Sequence, residues 1–233
     1  MIGRDSDEAV TSMHIGLIGG IGPAATDFYY RRLIEAAAKA ERALDLTIVH
    51  ADAPTLLANL AANADDAQTA IYRRLAERLQ HGGAECMAVT SIAGHFCIDS
   101  FVPLSPLPVI DLTAALRSSL EASGVRRVGV LGTKTVMATK MYGKLGAVDV
   151  VAPPGEMLDQ VHEAYVRLAT SGRPTDDLRD VFFAAGAKLV GDLKAEAVLL
   201  GGTDLNVAFD GQNAGFPIID CAAIHIEAIA QHL

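Results

Sequence analysis

The sequence has no tryptophan and only 5% aromatic residues, and its 19 Lys and Arg are outnumbered by 28 Asp and Glu, for a formal charge of -9. Nucleic-acid binding needs a concentrated basic footprint on the phosphates, so that class of partner is excluded. Cysteine is scarce as well. Cys86, Cys97 and Cys221 are an odd, scattered set without CxxC spacing, which excludes a disulfide framework and a zinc site and leaves buried thiols as the plain reading. Long apolar runs are also missing, because Gly, Asp or Lys interrupts each of them well short of the roughly 20 residues that span a bilayer. The opening "MIGRDSDEAVTSMH" is polar and acidic and lacks the basic start and apolar centre of a secretory signal. Its first dozen residues read as a loose tail, and a cytoplasmic protein is expected.

What the chain does have is apolar mass, 51% of 233 residues, enough for one large domain or two compact halves. Short Val/Ile/Leu runs alternate with Ala-rich stretches of helical period, such as "YYRRLIEAAAKAER", which predicts βαβ units and a parallel sheet covered on both faces. The chain also repeats itself. "IGLIGG" at 15–20 returns as "VGVLGT" at 128–133, "MAVTS" at 87–91 as "AVLLGGT" at 197–203, and "PVIDLTAA" at 108–115 as "PIIDCAAI" at 217–224. Three echoes in one order predict two pseudo-symmetric parallel-sheet α/β halves with a ligand cleft between them. The first half runs over 13–110 and the second over 111–220, with a closing helix at 221–232 packing back on the first. Ligands of parallel sheets sit beyond the carboxyl ends of the strands, so the loops "GGIGPAAT", "TSIAGH", "GTKT" and "GGTD" should face that cleft.

Each loop offers groups to a small anion. Gly20, Ile21 and Gly22 form a turn with Pro23 at a first helical position, where free amides favour a carboxylate. Gly20, Gly22 and Ala25 also fit a loose dinucleotide pattern, but the first acid after the second strand is Asp52, some 30 residues beyond the glycines rather than about 20. Thr133 and Thr135, with Lys134 as either a ligand or a solvated cation, occupy the equivalent turn of the second half. Thr90 and Ser91 end a strand four residues before His95, so Ser91 either meets His95 or caps the next helix. Thr203 and Asp204 stand at the matching tip, Asp204 as a helix cap or a general base. His225 reaches the cleft or fills a core niche.

With "GLIGGIGPAATDFYYRRL", "GVLGTKTVM" followed by "MY", and "IIDCAAIHIEA", the chain resembles the aspartate/glutamate racemase family, within a superfamily that includes hydantoin racemases, maleate isomerases and arylmalonate decarboxylases. The likeness runs from His14 to the end. It implies two pseudo-symmetric halves, no cofactor, no metal, a small carboxylate or amino-acid substrate and a homodimer. It also implies two opposed catalytic cysteines, in Cys-Asn-Thr-Ala-His and Gly-Cys-Thr-Glu stretches, that take and return a proton beside a carboxylate. Laid on those stretches, Ser91 falls at the first position and Gly202 at the second. Ile92 and Ala93 replace the Asn-Thr, Asp204 replaces the glutamate, and His95 and Thr203 remain in register. A hydroxyl is several pKa units weaker an acid than a thiol, each unit costing about 1.4 kcal/mol, and glycine carries nothing to titrate. Two-thiol racemisation is therefore not expected. The resemblance implies a racemase-like isomerase of a small acid with an atypical Ser91/Gly202 site; the alternatives are a lyase or decarboxylase and a carboxylate-binding protein without chemistry.

Overall fold

The computed structural model describes residues 13–233; the tail expected over the first dozen residues lies outside them. The first half comprises β1 (Ile15–Gly19), α1 (Pro23–Lys39), β2 (Leu46–His50), α2 (Ala53–Ala61), α3 (Asp65–His81), β3 (Cys86–Val89) and a single turn, α4 (Ile98–Phe101). Helix α5 (Leu112–Ser123) then leads to β4 (Arg127–Gly132), α6 (Lys134–Ala138), β5 (Asp149–Val151), α7 (Glu156–Ser171) and α8 (Asp176–Gly191). Strand β6 (Ala197–Gly201), α9 (Asn206–Phe209), β7 (Ile218–Asp220) and α10 (Cys221–Ala230) complete the chain.

All strand pairs are parallel, in two sheets ordered β2-β1-β3 and β5-β4-β6-β7. A parallel bridge from Met87 to Val109 puts a fourth segment beside β3, where β7 lies beside β6. The three sequence echoes thus occupy matching places in matching sheets. Strands β1 and β6 are buried along their whole length, as parallel strands covered on both faces must be.

The third echo has a local cause. Asp111 accepts a hydrogen bond from the Thr113 amide at 2.8 Å and starts α5, and Asp220 accepts from the Ala222 and Ala223 amides at 2.8 and 3.3 Å and starts α10. Each strand end is followed by an aspartate that satisfies the orphan amides of the next helix. Asp220→Ala is expected to cost about 1 kcal/mol of unfolding free energy, measured by urea denaturation. From these starts the two helices run packed against each other but turn their apolar faces to different halves. Leu112, Leu116 and Leu120 of α5 join the core around β4 and β6, whereas Ala222, Ile226 and Ile229 of α10 pack with Ile15, Leu17, Tyr29 and Leu33 of the first half.

Candidate active site

A cavity of about 240 Å³ lies between the halves. Ile21, Gly22, Pro23, Ala53, Leu56, Ser91 and Ala93 line it from the first half, and Tyr165, Ala169, Thr170 and Asp204 from the second. Its wall is mostly hydrocarbon, and no lysine, arginine or histidine is among the lining residues.

Of the amides in the first turn of α1, expected to be free for an anion, that of Ala25 already holds a carboxylate from the opposite half. Asp204 Oδ1 accepts from the Ala25 amide at 3.0 Å, and the Tyr165 hydroxyl donates to Oδ2 at 3.2 Å. Asp204 therefore caps α1 across the cleft, not the short helix that follows it. Gly22 is what lets the carboxylate approach, since a Cβ there would stand 2.7 Å from Asp204 Oδ1. Burial pushes the Asp204 carboxyl up to about 6, although the Ala25 and Tyr165 hydrogen bonds pull it down. A carboxyl poised near neutrality, facing an apolar cavity, can both accept and return a proton.

Gly202 has a steric explanation in the same cluster. A Cβ on it would meet the Tyr165 ring at 2.3 Å from Cε2 and 2.9 Å from Cζ. The ring of Tyr165, projecting from α7, fills the space into which a side chain at position 202 would point. Tyr165 escaped the sequence reading because Val161, Ala164, Tyr165 and Leu168 form one buried helical stripe, and a core face carries no other signal.

Ser91 lines the cavity, but its hydroxyl and the His95 ring do not bond. Ser91 Oγ accepts from the Gly94 amide at 3.4 Å in a local turn, and His95 Nδ1 donates to the Ser91 carbonyl at 2.6 Å. Among the described residues His95 Nε2 has no hydrogen-bond partner, and it lies 3.7 Å from Asp111 Oδ1. Burial holds the imidazole below its ordinary pKa, opposed by Asp111, so the ring is neutral with its proton on Nδ1.

The remaining candidates stand behind the cavity or outside it. Gly20, at φ 90°, donates its amide to Thr26 Oγ1 at 2.8 Å, and Thr90 donates to the Ile18 carbonyl at 3.2 Å, so both brace the strand tips. Thr133 caps α6 through the Val136 amide, while Lys134 pairs with Asp159 at 2.6 Å on the surface. Neither they nor Thr135 line the cavity, and the oxyanion grip expected of this turn is not formed. Lys134→Met is expected to change stability by less than about 0.5 kcal/mol, checked by thermal unfolding, because exposed pairs contribute little. Thr203 is buried with its hydroxyl unpartnered. His225 is a satisfied core residue, bonded to the Tyr29 hydroxyl and the Ile110 carbonyl, both at 2.8 Å. The cysteines are free and buried, with Cys97 pushed up to about 12 by burial and Cys221 raised by the same cause. Neither lines the cavity, so neither supplies it with a thiolate.

Two parallel-sheet α/β halves with a cleft between them define a class of fold, and comparison with known proteins says which family within it the chain belongs to. Residues 18–229 match the model of the Asp/Glu/Hydantoin racemase family, and the chain belongs to that family. A solved structure of an aspartate racemase homologue from Pyrococcus horikoshii OT3 is 25% identical, with a TM-score of 0.77 over 94% of this chain and 98% of that one. An aspartate racemase from Picrophilus torridus is 19% identical, with a TM-score of 0.72 over 94% of each chain. A glutamate racemase from Francisella tularensis in complex with D-glutamate is 16% identical, with a TM-score of 0.65 over 94% of this chain and 80% of that one. Among the described residues no helix is long and apolar enough to cross a membrane.

Proposed function

We propose that the chain is a cofactor-independent, isomerase-type enzyme that moves a proton at the carbon beside the carboxylate of a small organic acid, with Asp204 acting on one face and solvent water on the other. In this reading Ser91 and Gly202 stand where racemases of the family carry their two thiols, and Asp204 is the proton carrier. The observation that supports it is the pairing of Asp204, with its carboxyl near 6, and Tyr165 in an otherwise apolar cavity. The opposite tip offers only the Ser91 hydroxyl, too weak an acid to serve as the second carrier without a base, and His95 is turned to the Ser91 carbonyl.

The lining also speaks for the substrate. With no cation among the described residues lining the cavity, its remainder suits an apolar substituent rather than a second carboxylate. Decarboxylation is the second reading, favoured by the same apolar wall: a carboxylate placed there without a counter-ion is destabilised, and loss of carbon dioxide needs one proton from one face. A homodimer in the cytoplasm accompanies both readings and is open to sedimentation and fractionation.

The test is incubation in D₂O with both enantiomers of aspartate and glutamate, with 2-alkyl and 2-aryl carboxylic acids, and with the corresponding malonates. Expected are deuterium at the α carbon of an apolar acid, or release of carbon dioxide from a malonate, with either activity lost in Asp204→Asn. Racemisation of aspartate faster than turnover of any apolar acid, or turnover that survives Asp204→Asn, overturns the proposal.

A further inference from the structure

We propose that the first half carries a second ligand site, for a phosphate group, in a cavity of about 190 Å³ between the end of β2, the start of α2 and α3. Gln68, 1% exposed, lies at its floor with Leu75, and His50, Arg74 and Arg78 line its mouth. The site is separate from the cleft between the halves and does not rest on the reaction assigned there.

Three features carry the inference. Arg74 and Arg78 are one turn apart on the same side of α3, an arrangement that like charges disfavour. Among the described residues neither is in an ion pair, whereas their neighbour Arg73 pairs with Glu77 at 3.5 Å. The one carboxylate lining the cavity, Asp52, accepts from the Thr55 amide and hydroxyl at 2.9 and 2.5 Å to start α2 and forms no ion pair with either arginine. The two guanidinium groups, without carboxylate partners, outnumber the single Asp52 charge, so the recess is locally positive, with Gln68, whose Oε1 accepts from Asn59 Nδ2 at 2.9 Å, at its floor. Planar guanidinium forks match a tetrahedral dianion, which accepts from both at once. A metal cation is disfavoured there by the same two charges.

Helix α2 separates this recess from the cleft. Its first turn supplies Ala53, Pro54 and Leu56 to the cleft and Thr55 to the recess. A phosphate held by Arg74 and Arg78 against the start of α2 therefore stiffens one wall of the main cavity.

Thermal unfolding of the full chain in inorganic phosphate, against chloride at equal ionic strength, tests the proposal. A rise of about 4 °C is expected at a twentyfold excess over the dissociation constant. The same rise should appear in Arg73→Gln, whose charge faces elsewhere, and vanish in the double variant Arg74→Gln/Arg78→Gln. Arg74→Lys/Arg78→Lys, which keeps the charge but not the fork, should retain less than half of it. No rise in the unmodified chain, or an equal rise in the Gln double variant, overturns the site.

Discussion

Asp204→Asn is expected to lower kcat by about 10²- to 10⁴-fold, the usual contribution of a positioned proton carrier, with the fold intact because asparagine keeps the shape and an oxygen for the Ala25 amide. Kinetics on the substrate found by deuterium exchange would measure it. The pH dependence gives a second readout. In the folded chain the Asp204 carboxyl sits at about 6, against an ordinary 3.8. A carboxyl raised on folding contributes stability that is full below its unfolded pKa and is lost as pH rises through the folded value. The difference in unfolding free energy between the unmodified chain and Asp204→Asn should therefore fall by on the order of 3 kcal/mol between pH 4 and 7, then level off. Tyr165→Phe removes a hydrogen bond to the ionised carboxylate and should move that midpoint upward. A flat difference across the window would show that Asp204 is not buried as described.

The second large effect is steric. Gly202→Cys, the change that would put a thiol at this tip, places its Cβ 2.3 Å from the Tyr165 ring, which is wedged in the core and cannot swing away as the end of a flexible chain would. Overpacking of this kind costs about 1–3 kcal/mol. Tyr165→Ala alone leaves a cavity worth about 3–5 kcal/mol and strips Asp204 of its hydroxyl partner. Because the two positions compete for one volume, the double variant should lose less stability than the two single variants added together, by about 1 kcal/mol or more. Urea denaturation of all four proteins completes the cycle. Strict additivity would mean that Tyr165 and a side chain at 202 do not share space.

Much of this molecule is written in short-range pattern. The alternation of apolar strands and Ala-rich helices, the three ordered echoes, and Pro23, Asp111 and Asp220 at helix starts are all legible in sequence, because burial on both sheet faces and the satisfaction of helix amides act over a few residues. The plain reading of the cysteines as buried thiols needed no more than their scarcity and spacing. The site was legible only as a set of loops. Ser91, Gly22 and Asp204 do reach one cavity, but what each group does there depended on partners that no local rule names.

Asp204 meets the Ala25 amide across 179 positions of chain, and the Tyr165 hydroxyl across 39. Periodicity places Tyr165 on a buried helical face but is silent on which atoms that face will touch. The sequence by itself therefore determined two sheets, their helices and the loops that meet. Only packing in three dimensions decided that the Ala25 amide of α1 would be taken by the chain's own carboxylate, and that a tyrosine would fill the room a glycine left. The reason is physical: local propensities act along the backbone, whereas excluded volume and the desolvation of a buried charge depend on whatever happens to lie nearest in space.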